Sequence, residues 1–181
     1  MRTCTTEKTA ENQKKLCQAL LELAQKLPYE RLFVSDICQR AQISRRSFYR
    51  YFTNKDDVLH ALILDSIMEC SVRSMELRFD VSNLQALLTR FFVFWSHERS
   101  ELLDILRKNR LEHLLMDIYL DWAMKEVQAF PEWSVRRTAM TFSITGVMAV
   151  MFQWFDRNFD TPVEQLSGET ASLLERIIYQ P

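Results

Sequence analysis

The 181-residue sequence holds only two glycines and four prolines. An all-β sandwich or barrel needs many more tight turns than that supply allows, so a sheet-based fold is excluded at the outset. The four cysteines, Cys4, Cys17, Cys38 and Cys70, form neither a CxxC pair nor a set with histidine at zinc-finger spacing, and they read as small core residues. No HExxH or GxSxG occurs, and His60, His97 and His113 stand apart without a paired nucleophile, so catalysis has no visible seat. His113 with Asp117, and the group Glu98, Glu101 and Asp104, read as surface pairs and helix-end charges; no metal and no cofactor is expected. The first residues lack the apolar stretch of a secretory signal, which with the cysteine pattern leads us to expect reduced thiols in a cytoplasm. Repeats, low-complexity tracts and Gly/Ser linkers are missing too.

What is present is helical. Hydrophobic residues make up 48%, enough for a real core, and Leu, Ala, Glu, Lys, Arg and Met fill long stretches. From Glu7 to Lys26 the set Leu16, Leu20, Leu23 and Leu27 recurs at helical spacing, and Pro28 stops it. Val34, Ile37, Cys38 and Ala41 make a second, short stripe. Ala41 to Ile43 form a tight connection, Ser44 is placed to cap a third helix, and Phe48 and Phe52 face inward from it. Asn54 and Asp57 resemble a capping box opening a long helix with Val58, Leu59, Leu62, Ile63 and Ile67. Further helices are expected near 55–77, 82–97, 100–108, 110–128, 134–156 and 162–178. Thr161, Pro162 and Glu164 give the clearest start signal, and Asn158 suits the left-handed end of the helix before it. Thr138 to Phe155 carries no charge and approaches the length of a membrane span, but Thr138, Thr141, Ser143, Thr145 and Gln153 interrupt it. A helix buried between two partners is the simpler reading, and no membrane partner is expected.

Charge is split along the chain. Residues 1–60 hold eleven Lys/Arg against seven Asp/Glu, while residues 61–181 hold twelve against seventeen, so a formal net charge of -1 hides a basic head and an acidic body. Within the head, ISRRSFYRYF packs three arginines among four rings at residues 43–52. Three short helices with a tight second turn have the form of a helix-turn-helix, whose last helix enters the DNA major groove. With Phe48 and Phe52 buried, Arg46 and Arg50 point away from the core, and Arg45 and Tyr49 lie on a flank. Arginine donates bidentately to guanine, while the hydroxyls of Ser47, Tyr49 and Tyr51 suit phosphate oxygens. Lys55, a cation at a helix start, opposes the helix dipole unless a phosphate sits there.

The run VSDICQRAQISRRSFYRYFTNKDDVL resembles the N-terminal motif of the tetracycline-repressor (TetR) family, in which an Ile in the second helix, a short turn, an S-x-x-T-x-Y-x-x-F recognition helix and a Lys opening helix four recur. Ile37, Ala41, Ser44, Ser47, Tyr49, Phe52 and Lys55 match by position or close chemistry. The resemblance implies a homodimeric transcription factor, usually a repressor, that binds a palindromic double-stranded DNA operator and releases it when a helical C-terminal domain binds a small ligand. The DNA-binding set is then Ser35, Ser44, Arg45, Arg46, Ser47, Tyr49, Arg50, Tyr51 and Lys55. Three positions depart from the pattern. Gln42 replaces the usual turn glycine, which asks a non-glycine residue to turn left-handed at about 1 to 2 kcal/mol. Phe33 stands where threonine is frequent, and Arg46 where glycine is frequent.

These readings give an all-α fold: a helix-turn-helix DNA-binding domain over 1–54, joined by a long helix to a helical effector-binding and dimerisation domain over 55–181. Phe91, Trp95, Met116, Tyr119, Trp122 and Phe142 are the effector-binding candidates, large rings and a flexible thioether suited to an apolar or aromatic ligand. Ala139, Ser143 and Gly146 make a stripe of small residues where another helix can approach. With Leu166, Leu173 and Ile177 they are the expected homodimer interface. The competing class is a body that docks a protein coregulator instead of a small molecule, with an enzyme behind both.

Overall fold

The computed structural model describes residues 7–74, 83–128 and 137–179, and among them every regular element is helical. The α-helices are α1 (Glu7–Ala24), α2 (Val34–Ala41), α3 (Arg45–Tyr51), α4 (Lys55–Ser74), α5 (Leu84–Val93), α6 (Ser100–Lys108), α7 (Glu112–Gln128), α8 (Arg137–Asp156) and α9 (Val163–Tyr179). A 3₁₀ turn covers Tyr29–Arg31, and a π-helical turn, Phe94–Glu98, follows α5. The chain forms two compact units: residues 1–65 with 101–112, and residues 66–100 with 113–181. The expected division at 54/55 marks the start of α4; the first compact unit runs past it, through half of α4 and through α6.

In the first unit the stripes anticipated from spacing are buried: Leu16 and Leu20 of α1, Ile37 and Cys38 of α2, Phe48 of α3 with Phe52 just after it, and Val58, Leu59 and Ile63 of α4. Leu102, Leu103, Ile105 and Leu106 of α6 are buried as well. Leu23, Val34, Ala41 and Leu62 are only half-buried, and Leu27 is 45% exposed, because α1 ends at Ala24 and Leu27 falls in the turn that follows. Gln42 closes α2 at φ 55 and ψ 39, so the non-glycine residue does adopt the left-handed conformation, and the amide of Ile43 reaches back to the Cys38 carbonyl at 3.0 Å. Ser44 caps α3 as expected, accepting from the Ser47 amide at 3.1 Å. Asn54 accepts from the Asp57 amide at 2.9 Å, while the Asp57 carboxylate takes the Thr53 amide at 2.7 Å, so the box is shifted by one residue. Cys17, Cys38 and Cys70 are buried, and burial pushes the Cys17 thiol up to about 12; Cys4 lies outside the described residues.

Tyr29 is the least anticipated element of this unit. It is buried after Pro28, its amide donates to Asn109 Oδ1 at 2.8 Å, and its hydroxyl donates to Asp56 Oδ1 at 2.7 Å. The Lys55 ammonium lies 4.5 Å from its ring centre and donates to the carbonyls of Tyr29 at 2.7 Å and Leu32 at 3.0 Å. One residue thereby ties the 3₁₀ turn to the start of α4 and to the chain leaving α6.

The second unit is built on α5 and α9. Thr89 donates to Ser167 Oγ at 2.7 Å, Gln85 Nε2 donates to the Glu164 carbonyl at 3.3 Å, and a side-chain carbon placed on Gly168 would stand 3.2 Å from Gln85. The small residues Ser167, Gly168, Thr170 and Ala171 therefore serve close packing within the chain. Asn158 is left-handed as expected, and so are Arg110 and Phe159, which carry no such signal in sequence. The Phe159 ring stacks edge-on against Trp154 at 4.8 Å and Phe155 at 5.6 Å, contacts that offset its strained backbone. The start signal at Thr161 works differently from expectation: α9 begins at Val163, the Thr161 hydroxyl donates to Asp160 at 3.1 Å, and its carbonyl accepts Trp154 Nε1 at 2.8 Å. The expected helix over 82–97 is broken by the π-helical turn, and α7 starts at Glu112, two residues late, because Arg110 turns left-handed. The expected helix ends at 75–77 and 134–136 lie outside the described residues.

Two stability measurements follow. Gln42→Gly should raise the urea midpoint by an amount worth about 1 kcal/mol, since the left-handed backbone costs a side chain that much and glycine little; an unchanged or lower midpoint would contradict the strain. Tyr29→Phe should cost about 1 to 3 kcal/mol at neutral pH through the lost bond to a carboxylate. Burial, and next the Asp56 bond, raise the Tyr29 pKa in the folded chain, so its contribution is complete below the unfolded value near 10 and is lost as pH rises beyond it. The Phe variant should therefore lose stability less steeply above about pH 10 than the parent, as read by alkaline titration of the unfolding midpoint.

Candidate nucleic-acid interface

The α3 helix is short and anchored on one side only. Phe48 is fully buried and Phe52 nearly so, their rings 5.8 Å apart, which leaves Arg45, Arg46, Tyr49 and Arg50 exposed on the remaining faces. Tyr49, 53% exposed, rests its ring edge-on against Phe48 at 5.4 Å, so its base is fixed while its hydroxyl reaches solvent. Arg45 and Arg46 make no hydrogen bond or ion pair among the described residues. An unpaired guanidinium fork on a helix of this exposure is the donor set that guanine edges and phosphates accept. Ser35 is exposed in the first turn of α2, two residues after Phe33, itself 66% exposed.

Other members of the expected set have internal duties. Ser44 is spent on the cap, and its hydroxyl also donates to Ser47 Oγ at 3.0 Å. Arg50 lies 5.0 Å from the Tyr51 ring centre and donates to its hydroxyl at 2.6 Å, while Asn12 of α1 donates to the same oxygen at 3.2 Å. The Asn12 bond, ahead of Arg50, lowers the Tyr51 pKa. Tyr51 thus fastens α3 to α1. Lys55 departs most from the sequence reading. Its ammonium turns back onto the carbonyls of the Tyr29–Leu32 turn, which supply the negative charge that a phosphate was expected to supply. Tyr29, Asp56, Asn109 and Asn12, which hold this arrangement, were not anticipated; the one signal for Tyr29 was its place directly after the helix-stopping Pro28.

In the second unit, four of the six effector candidates form a linked aromatic group. Phe91 meets Trp95 at 6.4 Å and Tyr119 at 6.0 Å, and Tyr119 meets Trp122 at 5.5 Å. Burial, and then Cys70, raise the Tyr119 pKa, which keeps the phenol protonated. Met116 is half-buried on the same helix, whereas Phe142 stands 63% exposed on α8. Among the interface candidates Leu173 is 59% and Ile177 38% exposed, Ala139, Gly146 and Leu166 are half-buried, and Ser143 is 6% exposed inside the chain. Nothing lies within 4 Å of where a Gly146 side chain would begin. Among the described residues no group of three or more His, Cys, Asp or Glu could hold a metal ion.

Comparison with known proteins agrees with this geometry. Residues 16–62 match the family model described as bacterial regulatory proteins, tetR family. The HTH-type dhaKLM operon transcriptional activator DhaS of Lactococcus lactis subsp. lactis (strain IL1403) is 40% identical over 53 residues; the match takes in 29% of this chain and only 28% of that protein's length. Over nearly the whole chain the fold is that of a TetR-family transcriptional regulator from Syntrophomonas wolfei str. Goettingen, with a TM-score of 0.69 and 14% identity over 93% of this chain and 95% of that one. The fatty acid degradation regulator FadR from Bacillus halodurans gives a TM-score of 0.64 and 20% identity over 95% and 96%. The matched segment is that of bacterial regulatory proteins, and the fold is one found in transcriptional regulators. Residues 16–62 thus match the N-terminal segment of the TetR family, and the helices of the chain are arranged as in solved members of that family.

Proposed function

We propose that the chain acts in the cytoplasm as a homodimeric repressor that binds a palindromic DNA operator and leaves it when a small apolar or aromatic effector enters the second unit. The observation that carries the DNA assignment is the exposed edge of Arg45, Arg46 and Tyr49 on a helix pinned by Phe48 and Phe52. Ser35, Ser47 and Arg50 flank that edge. Residues 1–54 read DNA in this proposal, and residues 55–181 sense the effector and dimerise.

A single short reading helix covers too few base pairs for specificity, so two heads on one operator are required, and with them a two-fold axis. α8 supports the pairing. It is long and apolar enough to cross a membrane, yet only 28% of its most apolar stretch is buried within the chain. Threonines and a glutamine break that face, which suits a partner protein better than a bilayer. Phe142, Gly146 and Ala149 lie at successive turns of α8, and Leu173 and Ile177 stand out on α9. We assign Phe142 to this face and not to the effector group, and leave Ser143 to the core. The effector site is then Phe91, Trp95, Met116, Tyr119 and Trp122. One observation favours a second reading of the sign of regulation: DhaS, the curated relative, is named a transcriptional activator. A protein coregulator seated on the exposed apolar residues would be the corresponding control.

The DNA assignment is tested by footprinting on DNA flanking the chain's own gene, followed by variants. Tyr49→Phe should weaken binding to specific and random duplexes alike, whereas Arg45→Ala or Arg46→Ala should relax preference at particular base pairs by about 1 to 3 kcal/mol. Lys55→Ala should weaken all binding while leaving the salt slope unchanged, because its charge faces carbonyls; a slope lowered by about one unit would mean that it reaches a phosphate. If all these variants bound like the parent, the interface would lie elsewhere.

Gly146→Leu tests the dimer, since no atom of the subunit lies within 4 Å of where its side chain would begin. Sedimentation should show a folded monomer in place of a dimer. A parent chain that is folded yet monomeric at micromolar concentration would refute the interface, and a stable heteromeric complex would favour the coregulator.

A further inference from the structure

Three buried side-chain polar atoms lack a hydrogen-bond partner among the described residues: Trp95 Nε1, Glu112 Oε2 and Ser143 Oγ. Two of them are easily accommodated. The other carboxylate oxygen of Glu112 takes Arg107 at 2.7 Å, and a serine hydroxyl inside a helix can rotate toward the carbonyl four residues earlier. Trp95 has no such recourse. Its N–H only donates, its direction is fixed in the plane of the ring, and the side chain is 0% exposed. Its ring neighbours, Phe94 at 5.5 Å and Phe91 at 6.4 Å, carry no acceptor. A buried water would need two to four polar partners, which these rings do not provide.

The backbone singles out the same residue. Trp95 lies in the π-helical turn Phe94–Glu98, and such turns, rare and costly, gather at functional sites. The turn is held at its far end by Arg99, whose amide donates to the Phe94 carbonyl at 3.1 Å and whose guanidinium lies 5.4 Å from the Phe94 ring centre. The guanidinium also bonds Ser66 at 3.1 Å and pairs with Glu69, both on α4.

We propose that Trp95 Nε1 is the orienting donor of the effector site and that the effector is a neutral, apolar or aromatic molecule bearing a carbonyl-type acceptor. This rests on the effector reading above and adds its chemistry. The rings of Phe91, Tyr119 and Trp122 supply apolar surface, and the protonated Tyr119 phenol adds a donor and no charge. A carboxylate is disfavoured because Arg99, the cation at the end of the turn, is already paired with Glu69. An acceptor on Trp95 bears directly on the π-helical turn, and Arg99 fastens that turn to α4, the helix that begins at Lys55.

The test uses acetophenone and ethylbenzene, matched in shape and differing by the carbonyl oxygen, against the full chain labelled with ¹⁵N-indole tryptophan. The four tryptophans give four indole signals, and Trp95 is identified by its loss in Trp95→Phe, or by elimination with Trp122→Phe, Trp133→Phe and Trp154→Phe if that variant does not fold. Acetophenone should bind about five-fold more tightly than ethylbenzene, the worth of one net hydrogen bond of about 1 kcal/mol, and should move the Trp95 N–H signal downfield. In Trp95→Phe the preference should vanish. Equal binding of both compounds with the Trp95 signal unmoved by the ketone would overturn the donor role and leave the effector reading standing. No change in any indole signal up to the solubility limit of both would overturn the two together.

Discussion

The first unit depends on one cation turned inward. Lys55 opens α4, where the helix dipole disfavours positive charge, and the conflict is resolved by carbonyls of the Tyr29–Leu32 turn and by the face of the Tyr29 ring. Tyr29 in turn holds Asp56 and Asn109. The charges of Lys55 and Asp56, adjacent in sequence, thus close on opposite parts of one residue, and the start of α4 is set against the turn that introduces α2. The position of α3 follows, because Phe48 and Phe52 pack into the unit that this cluster organises.

The second unit is held by different means. Its rings link in the order Trp95, Phe91, Tyr119 and Trp122, and α9 approaches α5 through small residues, Ser167 and Gly168 against Thr89 and Gln85. Apolar residues that this packing does not consume, Phe142, Leu173 and Ile177, remain at the surface of α8 and α9. The π-helical turn carries Trp95 of this group and is joined to α4 through Arg99.

Features set by local pattern were legible in the sequence. Helical spacing located the buried stripes of α2, α3 and α4, Ser44 announced its cap, and the resemblance, through the glycine usual at residue 42, implied a left-handed glutamine. Features that depend on where a side chain turns were not. Whether Lys55 reaches a phosphate or a carbonyl is decided by a turn more than twenty residues away. Adjacent positions of α9 also part company: Leu173 is exposed while Leu174 is buried. The small residues of α9 gave no sign that they would meet α5, and the π-helical turn has no periodic signature, since one inserted residue only shifts the pattern.

With Lys55 committed inside, the outward charge of α3 comes from arginine alone. A guanidinium keeps its proton throughout the range in which imidazoles, thiols and ammonium groups exchange theirs. The outward guanidinium groups of α3 therefore keep their positive charge across the physiological pH range. Ionic strength is the remaining physical variable that tunes their attraction to a polyanion.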